Sequence, residues 1–205
     1  MPLRSKRVFF DDYVFVVDEN VYEPAEDSFL FAENLQVKEG ETVLDMGTGC
    51  GILGILVAKP ARLVVAADIN PYAVRCAKEN ALLNNVHNKI SLVQGDLFAP
   101  LNKKAKFDLI LFNAPYLPVE DNELTSWDSH AWAGGPNGRE TIDPFINKSV
   151  THMKDRGRLL LLQSTLAGLE ETLTTFKKCG MSGRVIAGYA VPFFEKIVLL
   201  EAKNH

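Results

Sequence analysis

Three glycines at alternate positions form the strongest chemical signal in the sequence. They lie in the stretch LDMGTGCG, residues 44–51, where a predicted strand ends and a helix begins. Glycine accepts positive φ angles and lets a ligand approach the backbone closely, and a helix start offers amide donors to a carboxylate. The third glycine comes one residue earlier than in a dinucleotide-binding fingerprint, and Asp45 stands two residues before the first glycine. The stretch predicts a ligand-binding loop of another kind, the alternative being a glycine-rich turn without a ligand.

Aspartates follow the next two predicted strands. Asp68 ends the strand at residues 63–68, and Asp96 follows the strand at residues 90–94. A carboxylate at the first position can accept hydrogen bonds from two ribose hydroxyls, and one at the second can accept from an exocyclic purine amine. Taken singly, Asp68 could equally cap a helix and Asp96 could be a turn residue. Together with Asp45 they mark the carboxyl ends of consecutive strands, where open α/β sheets bind ligands.

The tetrapeptide NAPY, residues 113–116, ends the fourth predicted strand. Asn113 offers a side-chain carbonyl, and Ala114 offers a main-chain carbonyl that the following proline holds in place. Two such acceptors can clamp a planar –NH₂ group, with Tyr116 as a flat wall beside it. The alternative is an ordinary Asn–Pro turn that leaves a strand.

These motifs resemble those of the class I S-adenosylmethionine-dependent methyltransferases over about residues 40–200. The NAPY tetrapeptide resembles the Asn-Pro-Pro-Tyr motif of enzymes that methylate planar amino or amide nitrogens. Two further stretches, VYEPAEDS at residues 21–28 and AWAGGPNGRE at residues 131–140, resemble the HemK-like protein-glutamine methyltransferases of archaea and eukaryotes. Those enzymes modify the glutamine of the Gly-Gly-Gln loop in class 1 translation termination (release) factors.

The resemblance implies a role for individual residues. It implies catalytic roles for Asn113, Ala114, Pro115 and Tyr116. It implies that S-adenosylmethionine, with S-adenosylhomocysteine as product, contacts Ser28, Asp45, Gly47, Gly49, Gly51, Asp68, Ile69, Asp96, Leu97 and Asn113. It implies no metal in the enzyme, a release factor as protein substrate, and a small zinc-binding activator protein as partner. One position departs from the pattern, since Ala114 replaces the motif's first proline and keeps its carbonyl without the fixed φ.

The predicted elements place these motifs on one framework. Continuous apolar runs, typical of strands covered on both faces, predict strands at residues 42–45, 63–68, 90–94, 107–113 and 158–163. Residues 7–21 are predicted to be extended and residues 26–36 helical. Asn70 and Pro71 are suited to open the helix that follows Asp68, and Gly180 is suited to close the helix that carries Leu173. The loop at residues 114–138 has almost no periodicity, which is typical of functional loops.

The C-terminal segment predicts a different connection. Residues 184–189 and 196–202 read as strands that are too close in sequence for a crossover helix, so we expect an antiparallel hairpin that turns at Pro192. The predicted fold class is α/β, a single Rossmann-like class I methyltransferase domain with a mostly parallel seven-stranded sheet and this C-terminal hairpin. Residues 1–40 are expected to form an N-terminal extension and helix over the cofactor site, and residues 41–205 the core.

The composition is that of an ordinary globular protein. The chain has 205 residues with 47% apolar and 23% charged residues, which favours one domain. Its net charge of −4 is unlike that of proteins whose main task is to bind nucleic acid. No apolar run approaches the ~18 residues that a membrane span needs. The three scattered cysteines predict neither a disulfide framework nor a zinc site, and a cytoplasmic location is expected.

The distribution of acidic residues bears on the substrate. Between residues 8 and 37 the chain carries no lysine or arginine and eight acidic residues: Asp11, Asp12, Asp18, Glu19, Glu23, Glu26, Asp27 and Glu33. The long loop adds Glu120, Asp121, Glu123 and Asp128. Such flanks repel phosphates and attract a basic polypeptide, although a solvated acidic surface is the common alternative.

Other functions stay open on the sequence alone. An adenine-N6 methyltransferase that acts on DNA or RNA would use the same planar-amine chemistry, but it normally needs a basic tract or an added recognition domain. A protein-lysine methyltransferase would have to bind a tetrahedral nitrogen that must first lose a proton. A nucleoside-binding protein without turnover would retain the fold alone.

Overall fold

The computed structural model describes residues 6–119, 126–127, 131–192 and 195–204. The chain divides into two compact units, Met1–Leu101 and Asn102–His205. The helices and strands of the first unit are β1 (Lys6–Phe10), β2 (Tyr13–Val17), α1 (Glu26–Glu33), β3 (Thr42–Met46), α2 (Ile52–Ala58), β4 (Leu63–Asp68), α3 (Pro71–Leu83) and β5 (Ile90–Gln94). Within the described residues, no helix is long and apolar enough to span a membrane.

Three parallel strands form the framework of the first unit, in the order β5-β4-β3. Every residue of β3 is buried, in agreement with the predicted strand that is covered on both faces. Helix α3 begins as predicted, because the Asn70 side chain accepts a hydrogen bond from the Tyr72 N–H at 2.9 Å and Pro71 occupies the first turn. The carboxyl ends of the three strands therefore carry the glycine loop, Asp68 and Asp96 at one edge.

The N-terminal residues form an antiparallel hairpin, β1–β2, where the sequence predicted only extended structure. Asp11 adopts a φ of +47° in its turn. Helix α1 ends at Glu33 rather than at residue 36. The physical reason is Asn34, whose side-chain amide donates to the Leu30 carbonyl at 2.8 Å and so takes an acceptor that a continuing helix would use.

The second unit comprises β6 (Phe107–Asn113), α4 (Ile142–His152), β7 (Met153–Ser164), α5 (Leu169–Lys178), β8 (Met181–Ala190) and β9 (Lys196–Asn204). Its strand order is β6-β7-β9-β8, with β6 and β7 parallel and β9 antiparallel to both neighbours. The predicted C-terminal hairpin is confirmed, although each strand is longer than predicted. Together with β3, β4 and β5 these strands make up the seven of the predicted α/β fold class, which is confirmed.

Two features of the second unit were not predicted. Helix α4 buries Phe145, whose ring lies 4.5 Å from that of Phe112 on β6. Strand β7 begins at Met153, which pairs with Phe107. The register then shifts, and Arg158 resumes the ladder opposite Leu109. Residues 154–156 are all charged and interrupt the apolar pattern, so the sequence predicted a strand that starts only at residue 158.

Candidate functional site

Asp45 is a buried carboxylate at the end of β3, with 1% of its surface exposed. Its Oδ2 accepts hydrogen bonds from Thr48 Oγ1 at 2.6 Å and from the Gly54 N–H at 2.9 Å. Burial raises the pKa of this carboxyl from 3.8 to about 7, against the opposing effect of those two hydrogen bonds. Among the described residues, nothing donates a hydrogen bond to the buried Oδ1. An acceptor of this kind fits a donor group of a ligand.

The three glycines of the loop adopt positive φ angles: +64° at Gly47, +56° at Gly49 and +89° at Gly51. Gly51 precedes α2, and a Cβ there would lie 3.1 Å from Ala77 Cβ, so this position needs glycine for close packing. At Gly49 a Cβ would meet nothing within 4 Å. The structure therefore leaves space beside Gly49, as a ligand that approaches the backbone requires.

Asp68, at the end of β4, faces this loop. Its Oδ2 accepts a hydrogen bond from the Gly49 N–H at 2.9 Å, and its Oδ1 accepts one from the Asn70 N–H at 2.9 Å. Burial raises the pKa of the carboxyl, and the backbone hydrogen bonds partly offset that effect. The Ile69 N–H is a third backbone donor to this carboxylate. Since two carboxylate oxygens can accept about four hydrogen bonds, Asp68 keeps capacity for a further donor such as a hydroxyl. The next residue, Ile69, exposes 54% of its apolar side chain.

Asp96 and Leu97 follow β5 in a turn that is attached to β4 by the Gly95 N–H, which donates to the Asp68 carbonyl at 2.9 Å. The Asp96 side chain is exposed. Leu97 adopts a φ of +42°, a left-handed conformation that costs a non-glycine residue free energy and is enriched at functional sites. The first unit thus brings Asp45, Asp68 and the Asp96 turn to adjacent strand ends.

Ser28 lies on α1 with 3% exposure, and its N–H and Oγ both donate to Asp27 Oδ1, at 2.6 and 3.2 Å. The Tyr22 hydroxyl donates to the same oxygen at 3.2 Å. Asp27 is itself only 6% exposed, so counting it among the acids of a solvated flank was wrong. Its carboxylate instead holds the stretch at residues 21–28 together, a role that no local sequence pattern indicated.

Asn113, Ala114, Pro115 and Tyr116 leave the end of β6 in the second unit. Asn113 is half-buried and its Oδ1 atom is buried. Ala114 is 3% exposed, and its N–H donates to the Leu162 carbonyl of β7 at 3.4 Å. A proline has no N–H, so the alanine replaces the rigidity of a fixed φ with one further hydrogen bond of the parallel ladder.

The stretch at residues 131–140 holds the segment that follows Tyr116. The Leu117 N–H donates to the Trp132 carbonyl at 2.9 Å, and the Gly134 N–H returns a hydrogen bond to the Leu117 carbonyl at 2.8 Å. Gly138 passes so close to the Tyr116 carbonyl that a Cβ would lie 2.4 Å from its oxygen. These contacts explain why this stretch is rich in glycine, since its backbone must run against that of the NAPY segment.

Arg139 fixes the other end of this stretch and is 8% exposed. Its Nη1 donates to the carbonyls of Ala167 and Gly168 and to Thr172 Oγ1 at 3.0 Å. Its Nε and Nη2 donate to the two carboxylate oxygens of Asp143. Sequence reasoning missed this residue as a structural anchor, because the start of α5 lies almost 30 positions away along the chain.

Most of the described acidic residues of the N-terminal segment are exposed, as the predicted acidic flank requires. Asp11, Asp12, Glu19, Glu26 and Glu33 are exposed, while Glu23 forms an ion pair with Lys6. Glu120, Asp121, Glu123 and Asp128 lie outside the described residues. Within the described part of the chain, no group of three His, Cys, Asp or Glu side chains could hold a metal ion.

The sequence of this chain is similar to those of known methyltransferases. The family model for the methyltransferase small domain matches residues 15–128. A relative from Methanocaldococcus jannaschii, assigned as a protein N5-glutamine methyltransferase, is 46% identical over 181 residues, which cover 87% of this chain and 90% of the relative. The methyltransferase HEMK2 of Homo sapiens is 36% identical over 175 residues, which cover 80% of this chain and 81% of HEMK2.

Solved structures agree with the fold. The E. cuniculi Mtq2–Trm112 complex, described as responsible for the methylation of the eRF1 translation termination factor, matches with a TM-score of 0.67 at 26% identity, covering 91% of this chain and 99% of that chain. The tRNA m1G37 methyltransferase of M. jannaschii reaches a TM-score of 0.74 at 21% identity, covering all of this chain and 56% of that one. The second match bears on the fold alone.

The raised pKa of Asp45 predicts a pH-dependent stability of the cofactor-free protein. The folded protein keeps this proton up to about pH 7, whereas the carboxyl has an ordinary pKa of 3.8 in the unfolded chain. The contribution of Asp45 to the free energy of unfolding is therefore greatest below pH 3.8 and is lost as the pH rises to about 7. Asp45→Asn, which keeps an oxygen for Thr48 and Gly54, should flatten the profile and stabilise the protein at neutral pH.

Chemical denaturation of both proteins at a series of pH values measures this difference. Asp96→Asn is the matched control, because it makes the same substitution at an exposed position after a neighbouring strand. Equal slopes for wild type and Asp45→Asn between pH 4 and 7 would contradict the prediction.

Proposed function

We propose a substrate and a mechanism for this chain from one premise: the chain belongs to the methyltransferase small domain family, among the HemK-like protein-glutamine methyltransferases. It is a methyltransferase. Its proposed substrate is the side-chain amide of the glutamine in the Gly-Gly-Gln loop of a class 1 release factor. The observation that carries this proposal is the segment at residues 113–116, whose backbone is held by the hydrogen bond from the Ala114 N–H to the Leu162 carbonyl and by the close approach of Gly138 to the Tyr116 carbonyl.

The first unit fits S-adenosylmethionine as the cofactor. The buried Asp45 Oδ1, the open space at Gly49 and the remaining acceptor capacity of Asp68 suit a ligand with ammonium and hydroxyl donors. The half-exposed Ile69 side chain suits an apolar ring face. In this proposal Ser28, Gly47, Gly51, Asp96, Leu97 and Asn113 complete the binding residues. When bound, S-adenosylmethionine supplies a methyl group that is already activated as a sulfonium.

The protein's own contribution to the reaction is alignment and electrostatics. A glutamine amide nitrogen is a weak nucleophile, because its lone pair is delocalised into the carbonyl. Asn113 Oδ1 and the Ala114 carbonyl accept the two N–H hydrogen bonds of the amide, which orients the nitrogen and raises its electron density. The same acceptors stabilise the positive charge that develops on the nitrogen, and Tyr116 lies against the amide plane. The nitrogen gains one methyl group as the methyl–sulfur bond breaks, and it then releases one proton to solvent, while the cofactor would leave as the thioether S-adenosylhomocysteine.

The surface charge of the first unit favours a protein substrate. Asp11 and Asp12 in the hairpin turn, Glu19 beyond β2 and Glu26 at the start of α1 are all exposed. Such a surface attracts a basic polypeptide and repels a phosphate backbone. This argues against an adenine-N6 methyltransferase. A lysine substrate is less suitable, because its tetrahedral ammonium carries a charge and a third proton that two carbonyl acceptors do not match.

Two substitutions should separate cofactor binding from chemistry. Asp68→Ala removes the proposed ribose acceptor and should weaken S-adenosylmethionine binding by about 1.5–3 kcal/mol. Asn113→Ala should leave cofactor affinity within a few-fold, while methyl transfer falls by roughly two orders of magnitude. Isothermal titration measures the affinity and single-turnover transfer of a labelled methyl group measures the chemistry.

Circular dichroism and thermal unfolding serve as controls for correct folding of both variants. If Asn113→Ala lost cofactor affinity and turnover in equal measure, its role would lie in cofactor binding or in the fold. If Asp68→Ala bound S-adenosylmethionine as tightly as wild type, the ribose position would be wrong.

A competition experiment tests the substrate. The enzyme is offered a class 1 release factor, its Gly-Gly-Gln variant with Gln→Ala, duplex DNA and ribosomal RNA, together with labelled S-adenosylmethionine. We expect label in the wild-type release factor alone, because only that substrate presents the glutamine amide. Label in nucleic acid, or label that persists in the Gln→Ala protein, would overturn the glutamine assignment and leave the methyltransferase activity intact.

The proposed partner is a small zinc-binding activator protein. The structural neighbour Mtq2 is bound to Trm112, so a similar partner is the natural candidate here. Leu82 and Leu83, at the end of α3, expose 50% and 51% of their surfaces, and β5 is the terminal strand of its sheet. An apolar surface beside an edge strand is suited to a protein partner.

Cytoplasm is the proposed location, in keeping with the free thiols of Cys50, Cys76 and Cys179.

The partner surface can be tested by charge substitution. Leu82→Glu with Leu83→Glu should abolish co-purification with a co-expressed activator, because burying two carboxylates in an apolar interface is costly. Val185→Glu, at a 43% exposed position on β8, is the matched control and should co-purify normally. An isolated chain that is monodisperse and fully active on its release factor would remove the partner from the proposal.

A further inference from the structure

Asn80, in the last turn of α3, is a fully buried amide that forms three hydrogen bonds with two other segments. Its exposed surface is 0%. Its Oδ1 accepts a hydrogen bond from the Val16 N–H at 2.8 Å, and its Nδ2 donates to the Val16 carbonyl at 2.9 Å. The same Nδ2 donates to the Cys50 carbonyl at 2.8 Å. One side chain therefore connects strand β2 with the glycine loop.

A second asparagine extends this contact one helical turn further. Asn84 accepts from the Val14 N–H at 3.1 Å and donates to the Val14 carbonyl at 2.8 Å. Residues four apart lie on the same face of a helix, and residues two apart point their backbone groups to the same edge of a strand. Asn80 and Asn84 thus pair with the free edge of β2 as a neighbouring strand would, and they dock the β1–β2 hairpin on α3.

Of these two asparagines, only Asn80 also contacts the glycine loop, and it contacts the peptide group between Cys50 and Gly51. The Cys50 carbonyl and the Gly51 N–H belong to the same planar peptide group. The carbonyl side is held by Asn80 Nδ2, and the N–H side donates to the Thr48 carbonyl at 2.8 Å. Gly51 has a φ of +89°, so this plane stands in an orientation that most residues would not adopt.

We propose that Asn80 is a positioning residue that holds the peptide between Cys50 and Gly51 in the orientation required for cofactor binding and couples that orientation to the docking of the β1–β2 hairpin. The inference rests on the proposed function, since it assigns the glycine loop to S-adenosylmethionine. The geometry behind it is the single Nδ2 group shared between the Val16 and Cys50 carbonyls. Loss of that group leaves a buried carbonyl without its donor, which is costly.

The coupling has a thermodynamic consequence. If the docked hairpin stabilises the loop, cofactor binding must stabilise the docked hairpin to the same extent, because linkage between two equilibria is reciprocal. S-adenosylmethionine should therefore slow hydrogen exchange at the Val16 amide, although that amide is outside the proposed cofactor contacts. Asn84 anchors the hairpin without touching the loop, so it provides a matched comparison on the same face of α3.

The test compares Asn80→Ala with Asn84→Ala in the full chain. Both variants should speed exchange at their hairpin amides, Val16 and Val14. Only Asn80→Ala should speed exchange at the Gly51 amide in the cofactor-free protein, and only Asn80→Ala should weaken S-adenosylmethionine binding, on the order of tenfold. At saturating cofactor its kcat should stay near that of wild type, so the change appears in the KM for S-adenosylmethionine.

Asn80→Asp covers the case in which the alanine variant does not fold. It keeps an acceptor for the Val16 N–H but sets a carboxylate oxygen against the Cys50 carbonyl, so the same loss of affinity and faster Gly51 exchange are expected. Wild-type affinity with unchanged Gly51 exchange in the Asn80 variants, or equal effects of the Asn80 and Asn84 variants on the loop, would overturn the inference. Failure of the wild-type protein to bind S-adenosylmethionine would instead overturn the proposed function, while the exchange comparison in cofactor-free protein would still decide the coupling.

Discussion

The turn between β3 and α2 has to bury a carboxylate, and the hydrogen bonds of the glycine loop, the start of α2 and the end of β4 are arranged around it. Asp45 cannot be solvated where it stands, so Thr48 and Gly54 donate to one of its oxygens. A Cβ at position 54 would lie 2.8 Å from that oxygen, which restricts this position, the third residue of α2, to glycine. The N–H groups of Thr48 and Gly49 then bond to the Ala67 carbonyl and to Asp68 on β4. These hydrogen bonds fix the conformation of the loop, and a fixed loop lowers the cost of binding a ligand.

In the second unit, backbone hydrogen bonds rather than a buried carboxylate hold the segment at residues 113–117. The NAPY segment leaves the end of β6. In a continuing strand its carbonyl groups would form hydrogen bonds with the neighbouring strand of the sheet. The stretch at residues 131–140 takes up the backbone groups of Leu117, and Arg139 then ties that stretch to the start of α5. The segment that carries Asn113 and Ala114 is thereby held by several backbone contacts, and the geometry proposed for it depends on such supporting contacts.

Features that depend on a few neighbouring residues could be predicted from the sequence. The alternation of apolar strands with helices, the cap formed by Asn70 and the C-terminal hairpin at Pro192 follow from local patterns, and they are confirmed. The docking of β2 on α3 could not be predicted, because Asn80 and Val16 are 64 positions apart and neither belongs to a chemical motif. Asp27 was mistaken for a surface acid for the same reason, since its burial follows from the packing of α1 and the hydroxyl of Tyr22.

The alanine at position 114 gives the NAPY segment a property that a proline would remove. Proline carries no amide hydrogen, so a proline in that position contributes no peak to a ¹H–¹⁵N correlation spectrum. Ala114 has such a hydrogen, and it bonds to the Leu162 carbonyl across the β6–β7 ladder. The chemical shift of the Ala114 amide proton responds to small changes in the length of this hydrogen bond. This protein therefore carries, inside the segment proposed to hold the methyl-accepting amide, an amide group whose resonance reports how the segment responds to each ligand.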